Sequence, residues 1–239
     1  MQPEPYTIVV NYHTNPDLLK YNIERCLTFI PSPTSILILN NGCNIKPIFN
    51  DNRIKFIDFL HTKNIGYMMN CAYDYITTDY FIHISATTIL KEDYIINSFN
   101  VYNDHTKFTG MMIKIKSLDY LPEVVYNPST YENLTCENAI IDYTPETVYL
   151  DHKKNYLWYN EIFNGYGFED VDYHYRWVLS QRYVVRTTKL IFYRYIVERN
   201  GDFYEQNNNN EIFKKLIHYY FTTKTIPIFN RDYRYFNPT

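Results

Sequence analysis

Tyr6-Thr7-Ile8-Val9-Val10-Asn11, continuing into Tyr12-His13-Thr14, is the stretch on which the fold turns. Its β-branched centre, Ile8-Val9-Val10, runs without a polar break, as in a strand buried on both faces. Asn15-Pro16-Asp17 follows as a helix start, with Pro in the first turn. Leu18, Leu19, Ile23, Leu27 and Ile30 give that helix one apolar face, and Pro31 and Pro33 stop it. A second buried strand is predicted at residues 35–39, closed by the turn signal Asn40-Asn41-Gly42. A third strand is predicted at 54–60, a helix at 67–76, and a fourth strand at 80–84 followed by Ser85-Ala86-Thr87-Thr88. Strands alternating with helices predict an α/β domain with a mostly parallel, Rossmann-like sheet flanked by helices. Ligands of such sheets sit at the carboxyl ends of the strands, so the chemistry is expected in the loops after residues 11, 39 and 84.

The second half changes character. A strand is expected at 111–116, turns with weak strands at 120–147, a loop around Asn164-Gly165-Tyr166-Gly167, and a helix at 168–179. Strand-like runs fill 183–196, the asparagines of 207–210 read as a polar insert, and a last helix is expected at 211–221. With no repeat and no linker, the chain reads as one domain. A nucleotide-binding half (about 1–115) is followed by an acceptor-binding, catalytic half (about 116–205) and a C-terminal loop and helix (206–239).

Composition narrows the classes of function. The 239 residues, 46% hydrophobic and 21% charged, suffice for a substantial core. A net charge of -3 argues against nucleic acid or anionic lipid as partner. No apolar run is long enough to span a membrane. The opening, Met1 to Pro5, does not resemble a signal peptide. Cys26, Cys43, Cys71 and Cys136 are scattered, which points to reduced thiols, a cytoplasmic setting and no zinc site. The sequon Asn133-Leu134-Thr135 has meaning only in a secreted chain. The 27 tyrosines suit stacking on sugars and bases, but their even spread fits an AT-rich coding bias better.

The sharpest local feature is Gly165-Tyr166-Gly167-Phe168-Glu169-Asp170-Val171-Asp172-Tyr173-His174-Tyr175-Arg176-Trp177. The glycines permit a tight turn. Glu169, Asp170 and Asp172 then fall in the first turn of a helix, whose unpaired N–H groups and dipole favour anions and keep a carboxylate ionised, as a general base requires. Asp172 with Arg176, and Asp170 with His174, stand at i,i+4 spacing. The same pattern also suits a capped surface helix with intrahelical pairs. HExxH, GxSxG and Walker A patterns are absent, and Gly165-x-Gly167 lacks the third glycine of a dinucleotide fingerprint.

Four motifs in order resemble those of inverting GT-A glycosyltransferases of the family-2 type, rhamnosyltransferase-like members above all. Val10-Asn11-Tyr12-His13-Thr14 stands where they carry V-N-Y-N-[ST], and Asn40-Asn41-Gly42-Cys43 where they carry D-N-G-S. Asn64-Ile65-Gly66-Tyr67 matches N-x-G-[FY], and residues 169–176 match E-D-x-D-x-x-x-R. The resemblance runs over roughly residues 6 to 200. It implies a transferase acting on a nucleoside-diphosphate sugar, UDP- or dTDP-linked, and on a hydroxyl of a glycan or other acceptor. It makes Asp170 the base and Glu169 an acceptor-holding group. It puts Asn11, Tyr12, Asn40 and Asn41 around the nucleotide, with the Asn40 carbonyl free to accept from a uracil or thymine N3–H. Asp172, His174 and Trp177 would contact the acceptor or support the site.

The departures concern the metal. Where these enzymes place D-x-D, a carboxylate motif that holds Mg²⁺ or Mn²⁺ against the diphosphate, this chain has Ser85-Ala86-Thr87. Where many relatives supply a downstream His, it has Phe192-Tyr193-Arg194-Tyr195. Neutral hydroxyls are poor substitutes for carboxylates toward hard divalent cations. Two accounts follow: a metal-free transferase in which Ser85, Thr87 and Arg194 meet the leaving-group charge, or a non-catalytic nucleotide-sugar or glycan-binding protein. A nucleotidyltransferase is a weaker third, since it too would need metal carboxylates. Mg or Mn held from the side of Asp170 and Asp172 is the alternative to a metal-free site.

Overall fold

The central sheet has strand order β3-β2-β1-β4-β7, built from β1 (Tyr6–Tyr12), β2 (Ser35–Asn40), β3 (Ile54–Asp58), β4 (Tyr80–Ser85) and β7 (Leu150–His152). The first four are mutually parallel and β7 joins antiparallel to β4. The computed structural model describes residues 3–59, 64–115, 118, 148–164, 167–195, 208–227, 229 and 231–237. The weak strands expected at 120–147, the sequon and Cys136 lie outside them. So do Gly165, Tyr166, Asn207 and the expected strand ends at 60, 116 and 196.

Both faces of the sheet are covered, which is why β1 reads as an unbroken apolar run. Ile8 and Val10 join Ile36, Ile38, Ile82 and Ile84 in one core with Leu19, Ile23 and Cys26 of α1 (Pro16–Leu27). The same core takes Tyr94, Ile95 and Phe99 from α3 (Tyr94–Val101). The alternate residues Val9, Leu37, Leu39 and Phe81 face Met68, Met69 and Ala72 of α2 (Ile65–Tyr75) and Tyr173 of α4 (Glu169–Leu179). Pro16 opens α1 as expected, and Asn15 caps it: its side chain accepts from Leu18 N at 2.9 Å while its backbone sits at φ 67°. Among the described residues no helix is long and apolar enough to cross a membrane.

A second, three-stranded sheet has the order β5-β8-β6, from β5 (Thr88–Leu90), β6 (Thr106–Ile115) and β8 (Tyr183–Tyr195). β6 and β8 run parallel, with a register shift between Thr109 and Met111. Gly110 occupies the shift, where a Cβ would stand 2.9 Å from both Leu190 O and Tyr94 Cε2. Leu90, Leu190 and Phe192 share the core of the central sheet, so the two sheets form one domain. The consequence for the site lies in β5. It begins three residues after the end of β4 and pairs antiparallel with β8, setting Thr88 opposite Arg194. The last helix, α5 (Asn209–Thr223), packs Leu216 and Tyr220 against Ile162 and Phe163.

Candidate active site

Strand register puts the expected nucleotide residues on one rim. Asn11 pairs with Ser85 across β1 and β4, Tyr12 with Asn40 across β1 and β2, and Asn40 with Asp58 across β2 and β3. The rim is therefore Asp58, Asn40, Asn11 and Ser85, at the carboxyl ends of four parallel strands. Within it the side chains do different work. Asn40 is 2% exposed, and its carboxamide is engaged: Oδ1 accepts from Cys43 N at 3.0 Å, while Nδ2 donates to Cys43 O at 2.9 Å and Asp58 Oδ1 at 2.8 Å. The Asn40 carbonyl is thus already a loop brace. Tyr12 is buried, its hydroxyl donating to Ile45 O at 2.6 Å. Asn41 turns the chain, its N–H bonded to Tyr12 O at 2.8 Å. Asn11 keeps an enclosed Oδ1 without a hydrogen-bond partner.

The end of β4 carries a hydroxyl cluster with a cation in it. Ser85 Oγ lies 2.7 Å from Thr87 Oγ1 and 3.1 Å from Thr88 Oγ1, and accepts from Thr87 N at 3.2 Å. Arg194 reaches it from β8, with Nη1 2.5 Å from Ser85 Oγ and 3.3 Å from Thr88 Oγ1. The cross-strand pairing of Thr88 and Arg194 explains the reach. Asn22 of α1 supports the segment from beneath, its Nδ2 donating to Thr88 O at 2.6 Å and Ala86 O at 3.4 Å. A divalent cation does not suit this donor set. It offers neutral hydroxyls and no carboxylate, with a guanidinium seated against them. Among the described residues no three His, Cys, Asp or Glu side chains gather into a metal-binding group.

The carboxylate pair starts α4. Gly167 at φ 99° and Phe168 at φ 74° turn the chain through left-handed conformations into Glu169. Asp170 is partly exposed and its Oδ1 accepts from Val171 N at 2.8 Å. Glu169 is 6% exposed, with Oε2 lacking any hydrogen-bond partner. Burial, reinforced by the Asp170 charge, pushes its carboxyl up to about 8, against the hydrogen bonds at the helix start. The helix start is expected to keep a carboxylate ionised; at Glu169 desolvation outweighs the helix terminus and raises the carboxyl. Tyr159 lies between this pair and the start of α2. It feels the charges of Asp170 and Glu169, stacks on Tyr173 at 4.5 Å, and would meet a Cβ on Gly66 at 3.1 Å. Asn64, which caps α2 by accepting from Tyr67 N at 2.8 Å, also donates to Glu161 O at 2.7 Å.

The remaining expected residues of α4 are interior. Asp172 is fully buried, accepting from Arg176 Nε at 2.8 Å and from Tyr220 OH at 2.7 Å. Trp177 is buried and donates to Tyr183 O at 3.0 Å. His174 packs edge-on against Tyr149 and Tyr173, and burial drops it to about 3. These three brace the helix. The pairing anticipated between Asp172 and Arg176 is real, but it is buried and unlike a surface pair. The Arg176 guanidinium lies 4.6 Å from the centroid of the Phe229 ring. Beneath the same helix the buried Lys107 ammonium bonds Asp151, with the Tyr149 and Trp177 ring centroids each 4.1 Å away.

Sequence reasoning passed over Asn22, Asp58, Tyr159 and Asn209. Asn22 had a signal, a polar residue inside the apolar stripe of α1. Asp58 ended a strand read as running to residue 60. Asn209 was hidden in a run of asparagines.

No protein-family model matches the chain, and no curated protein matches it by sequence. Solved structures do match its fold. They include GalNAc-T7 with UDP, GalNAc and Mn²⁺ (TM-score 0.70, 7% identity, 91% of this chain and 48% of that one). They also include TarS of S. aureus (TM-score 0.58, 10% identity, 81% and 37%) and its 1–349 segment (TM-score 0.57, 11% identity, 80% and 60%). The chain spans less than two thirds of each of these. The central sheet and its flanking helices are those of the GT-A fold.

Proposed function

We propose that the chain is a nucleotide-sugar-dependent glycosyltransferase that inverts the anomeric centre and works without a divalent metal. The observation that carries this reading is Arg194 seated on Ser85 and Thr88, in the segment aligned with the D-x-D motif of the resembling enzymes. The donor is a UDP- or dTDP-sugar lying over the rim of Asn11, Asn40, Asp58 and Ser85. Asn40 is buried with its carbonyl engaged; Asp58, 42% exposed and already bonded by Asn40 and Lys46, still has carboxylate lone pairs to accept a pyrimidine N3–H at that rim. The acceptor substrate is a glycan or other hydroxyl compound presented to α4, in a cytoplasmic setting consistent with free thiols at Cys26, Cys43 and Cys71.

In this mechanism the Asp170 carboxylate takes the proton of the acceptor hydroxyl as its oxygen attacks the anomeric carbon. The bond from that carbon to the diphosphate oxygen breaks on the opposite face, and the leaving diphosphate keeps the electron pair. Arg194 and the hydroxyls of Ser85 and Thr87 meet the charge that develops there, a role otherwise filled by a metal. Glu169, its carboxyl raised by burial and by the Asp170 charge, would hold the acceptor beside that base. The test is Asp170→Asn. Donor binding, read by thermal shift with UDP- and dTDP-sugars, should persist, while turnover falls by roughly 10²–10⁴-fold. Turnover near the wild-type value would remove Asp170 from the mechanism. Donor binding by the wild type, with neither transfer nor donor hydrolysis, would leave a non-catalytic binder.

A further inference from the structure

We infer that Asn209 is a positioning residue for Glu169 and Asp170, clamping from another helix both ends of the turn that delivers them. The inference rests on the reading of Asp170 as the base. Asn209 is the first residue of α5 and is 1% exposed. Its Oδ1 accepts from Asn164 N at 3.2 Å and its Nδ2 donates to Gly167 O at 2.9 Å. One carboxamide thus bonds both Asn164 and Gly167, the residue two before Glu169. The asparagine head group supplies a donor and an acceptor in one plane, which an aspartate or an alanine cannot.

The turn needs such a clamp. Gly167 and Phe168 are consecutive left-handed residues, a conformation disfavoured for Phe168. Phe168 is also the N-cap of α4 and makes no side-chain capping bond, so the cap residue itself does not fasten the first turn of α4. α5 is itself firmly seated. Leu216 and Tyr220 pack with Ile162 and Phe163, and Tyr220 OH donates to Asp172 Oδ1 at 2.7 Å. One helix therefore grips the turn before α4 through Asn209 and the body of α4 through Tyr220. A base must stay within hydrogen-bond reach of its proton. Release of the clamp should accordingly act on turnover and not on the donor, whose rim lies on β1, β2, β3 and β4.

The test compares Asn209→Ala and Asn209→Ser with Leu216→Val, which trims the same helix but leaves both Asn209 side-chain bonds in place. Asn209→Ala should lower kcat by about 10–100-fold with donor KM unchanged, since misplacements on the order of 1 Å cost about that much. Asn209→Ser, able to keep one of the two bonds, should fall between, which also serves if the alanine variant does not fold. Leu216→Val should keep its kcat. Wild-type kcat in Asn209→Ala, or equal loss in Asn209→Ala and Leu216→Val, would overturn the inference. Should the wild type neither transfer sugar nor hydrolyse donor, it is the base assignment that fails, and amide chemical shifts then decide the clamp. Shifts at Gly167, Glu169 and Asp170 that move in Asn209→Ser but not in Leu216→Val support it, and unmoved shifts sink it.

Discussion

Glu169 and Asp170 are neighbours in the chain with opposite surroundings, and that contrast divides their roles. Glu169 is enclosed, with its carboxyl pushed up by burial; Asp170 stands partly in solvent. Between the ordinary carboxyl value of 4.5 and about 8, the folded chain holds a proton on Glu169 that the unfolded chain has released. Folding stability must therefore fall as pH rises through that window. Glu169→Gln removes the titration. Its stability advantage over wild type should be small at pH 5 and grow steadily toward pH 8, read from urea midpoints. Parallel curves for the two proteins across that range would show that Glu169 is not a buried acid. Both carboxyls were legible as a helix-start pair, because the spacing places them there. Their inequality was not, since burial by residues distant in the chain determines it. Arg194 was legible as the one cation at the expected strand position. Its seat on Ser85 depends on Thr88 starting a strand opposite it, and a three-residue strand leaves no periodic trace.

At the scale of elements, α4 owes its position to partners outside itself. Asp172 receives one bond from Arg176 within the helix and one from Tyr220 of α5. Asp172→Ala leaves the Arg176 guanidinium, 2% exposed, without its counter-ion, and should destabilise the protein by about 3–5 kcal/mol in urea. Tyr220→Phe removes one hydrogen bond to a charged group and should cost about 1.5–3 kcal/mol. A loss below about 1 kcal/mol for Asp172→Ala would mean that α4 is held mainly by Tyr173 and Trp177. The i,i+4 spacing announced the Asp172–Arg176 pair, yet spacing cannot say which face of a helix is covered. The apolar periodicity of α1 told its inward face at Leu18, Leu19 and Ile23, though Ile30, read into that face, lies past the helix end and is 82% exposed. The short β5 and β7 lack the length for such a pattern.

For the whole molecule, the first half was readable because each strand is followed at once by the helix or turn that returns the chain to a neighbouring strand. The doubly covered sheet then follows from unbroken apolar runs such as Ile8-Val9-Val10. The second half pairs distant segments: β6 with β8, β7 with β4, Asn209 with Asn164 and Gly167. Local pattern holds no record of such pairings. They matter because they bring a guanidinium from β8 to the end of β4 and hold the carboxylate pair from α5. The central claim is that this guanidinium replaces a metal, and sugar transfer assayed in excess EDTA tests it most directly. The account predicts full activity in EDTA and a loss of roughly 10²–10³-fold in Arg194→Ala, the usual scale for removing one charge-stabilising contact. Activity abolished by EDTA and restored by Mn²⁺ or Mg²⁺, with Arg194→Ala turning over at the wild-type rate, would contradict it.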